Sequence, residues 1–203
     1  MTSTSRAYRK RRRAELEAET RLRITEAAVH LHGSIGPART TISAVAERAG
    51  VQRATVYRHF PNEEALFAAC SSHWLSQHPL PDMTAWTAIE HPDVRLAAAL
   101  QEMYRWYERG EEMQERVRRD VAIVPALRPA MEASARWTKT ATEALMRGRL
   151  ARGRRRRQVR AAIGHTLAFE TWRSLRREQG LSEREAISLM AGMVAFSARP
   201  GRH

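Results

Sequence analysis

The sequence predicts an all-α protein of about nine helices, an N-terminal three-helix helix-turn-helix domain followed by a larger C-terminal helical domain. Three observations predict it. Apolar residues recur at i, i+3, i+4 and i+7 in segment after segment, with no convincing period-two alternation. Glycine, proline and short polar capping residues stand at the breaks between those segments. Hydrophobic residues make up 43% of 203 residues, enough for a sizeable core in one large domain or two small ones.

Residues 1–13 carry Arg6, Arg9, Lys10, Arg11, Arg12 and Arg13 with no acid, and read as a basic arm, disordered away from a polyanion. A first helix follows over Ala14–His32, with Ile24, Ala27, Ala28 and Leu31 on one face, and Gly33, Gly36 and Pro37 break it. Thr40 and Thr41 cap a short second helix whose inner face is Ile42, Val45, Ala46 and Ala49. Gly50 ends it, because glycine enters the left-handed region without steric cost. A third helix spans about Gln52–His59, with Val56 and Phe60 turned inward. Asn62 caps a fourth helix, to about His78, with Glu63 and Glu64 in its first turn, where the helix dipole favours acids.

The boundaries expected are therefore 1–13 for the arm, 14–61 for the helix-turn-helix and 62–203 for the rest. In that remainder, 79–92 holds three prolines and reads as a connection. Helices are expected over Asp93–Arg109, Glu111–Val124, Arg128–Arg147, Gln158–Gln179 and Ser182–Ala198. Ser182 and Glu185 make a capping box before the last. The last two helices carry apolar residues on more than one face, so 158–179 and 182–198 are expected to meet their copies in a homodimer.

Charge locates the partner. The net charge is +13, concentrated in the arm and in eight arginines over 147–160 that have no acid among them. Such patches neutralise phosphates and release condensed counterions. Within the second patch, arginines 152–157 read as a solvated loop between two helices; a second nucleic-acid contact or an acidic partner is the sharper alternative.

Two short helices joined by a tight glycine turn behind a longer one form a helix-turn-helix, whose second helix enters the major groove. Its outward positions are Gln52, Arg53, Ala54, Thr55, Tyr57, Arg58 and His59. The stretch Thr40-Thr41-Ile42, Val45-Ala46-Glu47-Arg48-Ala49-Gly50-Val51, and Ala54-Thr55-Val56-Tyr57-Arg58-His59-Phe60-Pro61-Asn62 resembles the DNA-binding domain of the TetR family of transcriptional regulators, over about residues 20–67. Thr171-Trp172-Arg173-Ser174-Leu175 and Gly180-Leu181-Ser182 resemble that family's last helices more weakly.

The resemblance implies a repressor bound as a dimer to a palindromic operator and released by a small effector. It also implies roles. Thr41 donates to a phosphate and Ser43 approaches a base. Gln52, Arg53 and Ala54 face the groove. Thr55, Tyr57 and His59 hold phosphates, with Tyr57 also near a base. Two positions depart from the family pattern: Gln52 replaces the usual Ser/Thr cap, and Glu63 replaces a phosphate-binding lysine. The basic arm is expected to compensate, lying in the adjacent minor groove. The helix from Asn62 is the expected lever between an operator-bound state and a spread state that the effector prefers.

For the effector, Trp74, Met103, Tyr104, Tyr107, Val117, Val121, Trp137 and Phe169 are candidate lining residues and His165 a polar anchor; at helical spacing the same residues also read as plain core. No Gly-rich phosphate loop, nucleophile elbow or metal-ligand spacing marks an enzyme, a cofactor site or a metal site. Cys70 is the only cysteine and sits in an apolar run as a buried spacer. No apolar run is long enough to span a membrane and no secretory signal begins the chain, so a cytoplasmic location is expected. The rival reading is an architectural protein that binds nucleic acid with little sequence preference.

Overall fold

The computed structural model describes residues 3–199, and side chains from residue 6. Among them the helices are α1 (Ser3–Ser34), α2 (Ile42–Ala49), α3 (Arg53–His59), α4 (Glu63–Gln77), α5 (Met83–Thr87), α6 (Pro92–Asp120), α7 (Arg128–Met146), α8 (Gly153–Thr166), α9 (Phe169–Arg173) and α10 (Glu183–Ala198). Single 3-10 turns stand at Pro37–Arg39 and Pro125–Leu127, and α9 runs on into a π turn at Ser174–Glu178. No strand occurs among the described residues, so the all-α prediction holds.

Two compact units result. The first takes the chain up to Gln77 together with Glu115–Ala130; the second takes His78–Gln114 and the chain from Met131. The expected boundary at residue 61 therefore falls inside the first unit. The reason is packing: Leu66 and Cys70 of α4 complete the core that Ile24, Ala27, Ala28, Val45, Ala46, Ala49, Val56 and Phe60 begin. Burial pushes the Cys70 thiol up to about 12, which leaves it an inert spacer.

Several boundaries move from those the sequence predicts. The basic arm is not disordered: from Ser3 it continues α1. Arg11 pairs with Glu15 at 2.8 Å and Arg13 with Glu17 at 3.0 Å, the i, i+4 spacing that supports an exposed helix. The two helices expected on either side of Gly110 are one, α6, because an interior glycine costs a helix only about 1 kcal/mol. The connection over 79–92 contains α5, capped by the Asp82 side chain, which accepts the Thr84 N–H.

Arginines 152–157 are not a loop; from Gly153 they form the opening turns of α8. The helix expected over 158–179 breaks after Thr166. Two tyrosines one turn apart on α6 hold that break open. Tyr104 Oη donates to the Thr166 carbonyl at 3.1 Å and Tyr107 Oη to the Leu167 carbonyl at 2.6 Å. Both carbonyls lie at a buried helix end, where an unmet acceptor costs about 1–3 kcal/mol.

Candidate nucleic-acid interface

Local chemistry sets the helix-turn-helix. Thr41 caps α2 by accepting the Ala44 N–H at 3.1 Å, which leaves its own hydroxyl hydrogen free to point outward. Gly50 closes α2 at φ 63°, the left-handed geometry expected of it. Asn62 accepts the Ala65 N–H at 2.8 Å and starts α4. Gln52 occupies the N-cap position of α3 and makes no side-chain cap bond.

With Val56 and Phe60 in the core, α3 has one buried edge and the rest of its surface outside. Gln52, Arg53, Ala54, Tyr57 and Arg58 are exposed, as are Thr41 and Ser43 on and beside α2. Thr55 and His59 are half-buried, and His59 Nε2 is enclosed without a partner. Desolvation, then the Arg58 and Arg21 charges, hold the His59 ring below its usual range against a weaker opposing pull from Glu17. These influences all favour the uncharged ring except the pull of Glu17. Glu63 is exposed in the first turn of α4, so the departure from lysine leaves an acid on that surface.

Two long-range contacts hold the motif. Arg21 of α1 stacks over the Phe60 ring at 4.1 Å and donates to the His59 carbonyl at 2.5 Å, pinning the end of α3 to α1. Asp120, at the end of α6, accepts the Ala38 N–H at 3.0 Å and pairs with Arg119 at 2.7 Å. That ties the Pro37–Arg39 turn leading into α2 to residues 115–130. The Arg119 hydrogen bond holds the Asp120 carboxyl below its ordinary value. Neither contact has a local sequence pattern; their partners lie 38 and 82 residues apart.

Beside that tie, His32 is buried and stacks on Phe67 with ring centroids 4.7 Å apart. Burial lowers its pKa to about 4. The unfolded ring takes a proton below about 6.5, whereas the folded ring refuses it until about 4. Its contribution is thus complete above pH 6.5 and is lost as pH falls toward 4, about 3 kcal/mol over that window. Thermal midpoints measured from pH 7.5 to 4.5 are expected to fall more steeply for the wild type than for His32→Phe; parallel profiles would refute this. A cleft of about 150 Å³ opens here, lined by His32, Thr41, Ile42, Phe67, Ile123 and Val124 among others, well short of the ~300 Å³ at which drug-sized pockets begin.

The chain matches the family model described as bacterial regulatory proteins, tetR family, over residues 24–70. That interval spans the buried half of α1, both helices of the motif and the core-facing part of α4. The helix-turn-helix is therefore similar to that of the TetR family. Over 59 residues the chain is 46% identical to the HTH-type transcriptional regulator TtgR of Pseudomonas putida, a match covering 29% of this chain and 28% of that protein. The curated relatives are thus matched over little more than a quarter of their length.

Similarity of fold extends further. The fatty acid degradation regulator FadR of Bacillus halodurans superposes over 91% of this chain and 97% of its own, with TM-score 0.58 and 16% identity. A TetR transcription regulator of Haloarcula marismortui superposes over 89% and 97%, with TM-score 0.56 and 14% identity. At these identities the likeness concerns architecture.

The effector-site candidates divide between the two units. Trp74, Val117 and Val121 lie in the first; Met103, Tyr104, Tyr107, Trp137, His165 and Phe169 lie in the second. Val117 and Val121 pack against the Phe67, Ala126 and Leu127 cluster. In the second unit Tyr107, Phe169 and Trp172 come together with ring centroids 5.3–5.8 Å apart. Trp137 meets Trp86 edge-on at 6.0 Å, and His165 is exposed beside Thr171. No group of His, Cys, Asp or Glu among the described residues is arranged to hold a metal, and no described helix is long and apolar enough to cross a membrane.

Proposed function

We propose that the protein is a homodimeric, sequence-specific DNA-binding transcriptional regulator, a repressor that leaves a palindromic operator when a small molecule binds. The observation that carries this is the surface of α3, a short helix with one edge in the core and Gln52, Arg53, Ala54, Tyr57 and Arg58 exposed. A helix so presented fits the major groove, Arg53 reading base edges and Tyr57 with Thr41 holding phosphates. Site of action places it in the cytoplasm, and regulation rather than catalysis is its activity.

The second copy is placed on α8 and α10, which pack on each other in each chain. Leu189 and Phe196 of α10, seven residues apart and therefore on one face, are 52% and 72% exposed. The effector is placed among Met103, Tyr104, Tyr107, Trp137 and Phe169 of the second unit.

Selecting bound fragments from genomic DNA supplies the operator. On it, Arg53→Ala is expected to cost about 1–3 kcal/mol and relax base preference at one position in each half-site. An unchanged preference would remove Arg53 from base readout. The exposed basic run of α1 favours a second reading, an architectural binder that grips any duplex. A ratio of operator to random-DNA affinity near one would select it.

A further inference from the structure

Many arginines of the second unit are held by carboxylates, but one cluster is not. Arg105, Arg149, Arg160, Arg173, Arg176 and Arg177 each reach a carboxylate, on Glu183, Asp93, Glu143, Glu178, Glu108 and Glu111 respectively. Arg152, Arg154, Arg155, Arg156 and Arg157 are exposed, and none has an acidic partner among the described residues. Exposed Arg147 stands just before them.

Their placement costs the helix stability. Arg154–Arg157 fall in the opening turns of α8, where the dipole disfavours cations, and they repel one another at i, i+3 spacing. The first turn contains no acid, and Arg152 at the N-cap makes no side-chain cap bond. Four consecutive positions turn through most of the circumference, so the charges form a knob rather than a stripe.

We infer that this arginine knob is a sequence-independent contact to the phosphate backbone of double-stranded DNA, separate from the recognition helix α3. Every charge in it is an arginine, whose planar fork suits phosphate oxygens. Protein partners are held by central aromatic and apolar anchors; of the large apolar residues exposed among the described residues, only Leu150 adjoins this stretch of sequence. One leucine is also too little apolar surface to hold a membrane. A duplex, with one charge per ~1.7 Å of axis, needs neither anchor. The knob lies in the second unit and α3 in the first, so the two contacts are separable by mutation.

The test uses the full chain and a 40-bp duplex of random sequence, followed by fluorescence anisotropy across a salt series. The variant R154Q/R155Q/R156Q/R157Q is expected to bind about tenfold or more weakly at low salt, with a log–log salt slope shallower by about 3. In an R53A/Y57A background, which damages α3, the same four glutamines are expected to make the same change in slope on this duplex, as separate sites do. Far-UV circular dichroism reports whether α8 survives, and the all-lysine version at the same four positions, which keeps the charge in a folded helix, is expected to restore the slope. An unchanged affinity and slope in the glutamine variant overturns the inference. So does a knob-dependent affinity for anionic phospholipid vesicles or polyglutamate exceeding that for DNA. Loss of operator selectivity in the wild type with the knob effect intact would count against the regulator reading alone.

Discussion

Arg95→Met is expected to lower the stability of the second unit by about 3–5 kcal/mol, seen as a fall of about 10 °C in its thermal midpoint. Arg95 is 5% exposed and touches no carboxylate among its hydrogen bonds. Its guanidinium instead donates to four carbonyls: Ile89 at 2.8 Å, Glu90 at 2.9 Å, Ala144 at 3.3 Å and Arg147 at 2.8 Å. The first two belong to the segment before α6 and the last two to the end of α7, where the dipole is negative. Methionine fills similar volume but strands all four acceptors in a buried place. Arg95→Lys keeps the charge but has three donors without the planar fork, so an intermediate loss is expected. A midpoint shift below about 2 °C for the methionine variant would show that the clamp is dispensable.

The second large effect is expected at Gly36. Its φ of 95° with ψ of 155° lies in a region that side-chain-bearing residues enter at a cost of about 1–3 kcal/mol. Space is also missing: a Cβ there would stand 2.6 Å from Asp120 Oδ2 and against the Arg119 guanidinium. The arginine can swing away. Asp120 cannot without giving up the Ala38 N–H, a charge-assisted bond worth about 1.5–3 kcal/mol. Gly36→Ala is therefore expected to cost about 4 kcal/mol in the first unit and, by shifting the start of α2, at least tenfold in DNA affinity. Gly50→Ala is the control. Its φ of 63° carries strain, but nothing lies within 4 Å of the added carbon, so about 1 kcal/mol is expected. Equal effects at the two glycines would show that crowding by Asp120 contributes nothing.

The motif was legible in the sequence because each of its parts is local. Thr41, Gly50 and Asn62 announce caps and turns, and Val45, Ala46, Ala49 and Val56 announce the inner face. Among the expected inward residues, Leu31 and Ile42 stay half-buried. What was illegible depends on partners far along the chain. The break after Thr166 exists where Tyr104 and Tyr107 meet its carbonyls, some sixty residues away. The helicity of residues 6–13 is hidden for a different reason. Composition there suggested a solvated tail, while Glu15 and Glu17, one turn on, supply the pairing that a count of charges conceals.

The first unit is built from two stretches of chain, one ending at Gln77 and one at 115–130. During synthesis its N-terminal stretch must wait for about fifty more residues, several seconds at ~5–20 residues per second, before Asp120 and Leu127 arrive to cover Phe67 and fasten the Pro37 turn. An engineer who transplants this reading head onto another regulator has to carry both pieces; a graft cut after residue 77 would bring the helices and leave their clasp behind.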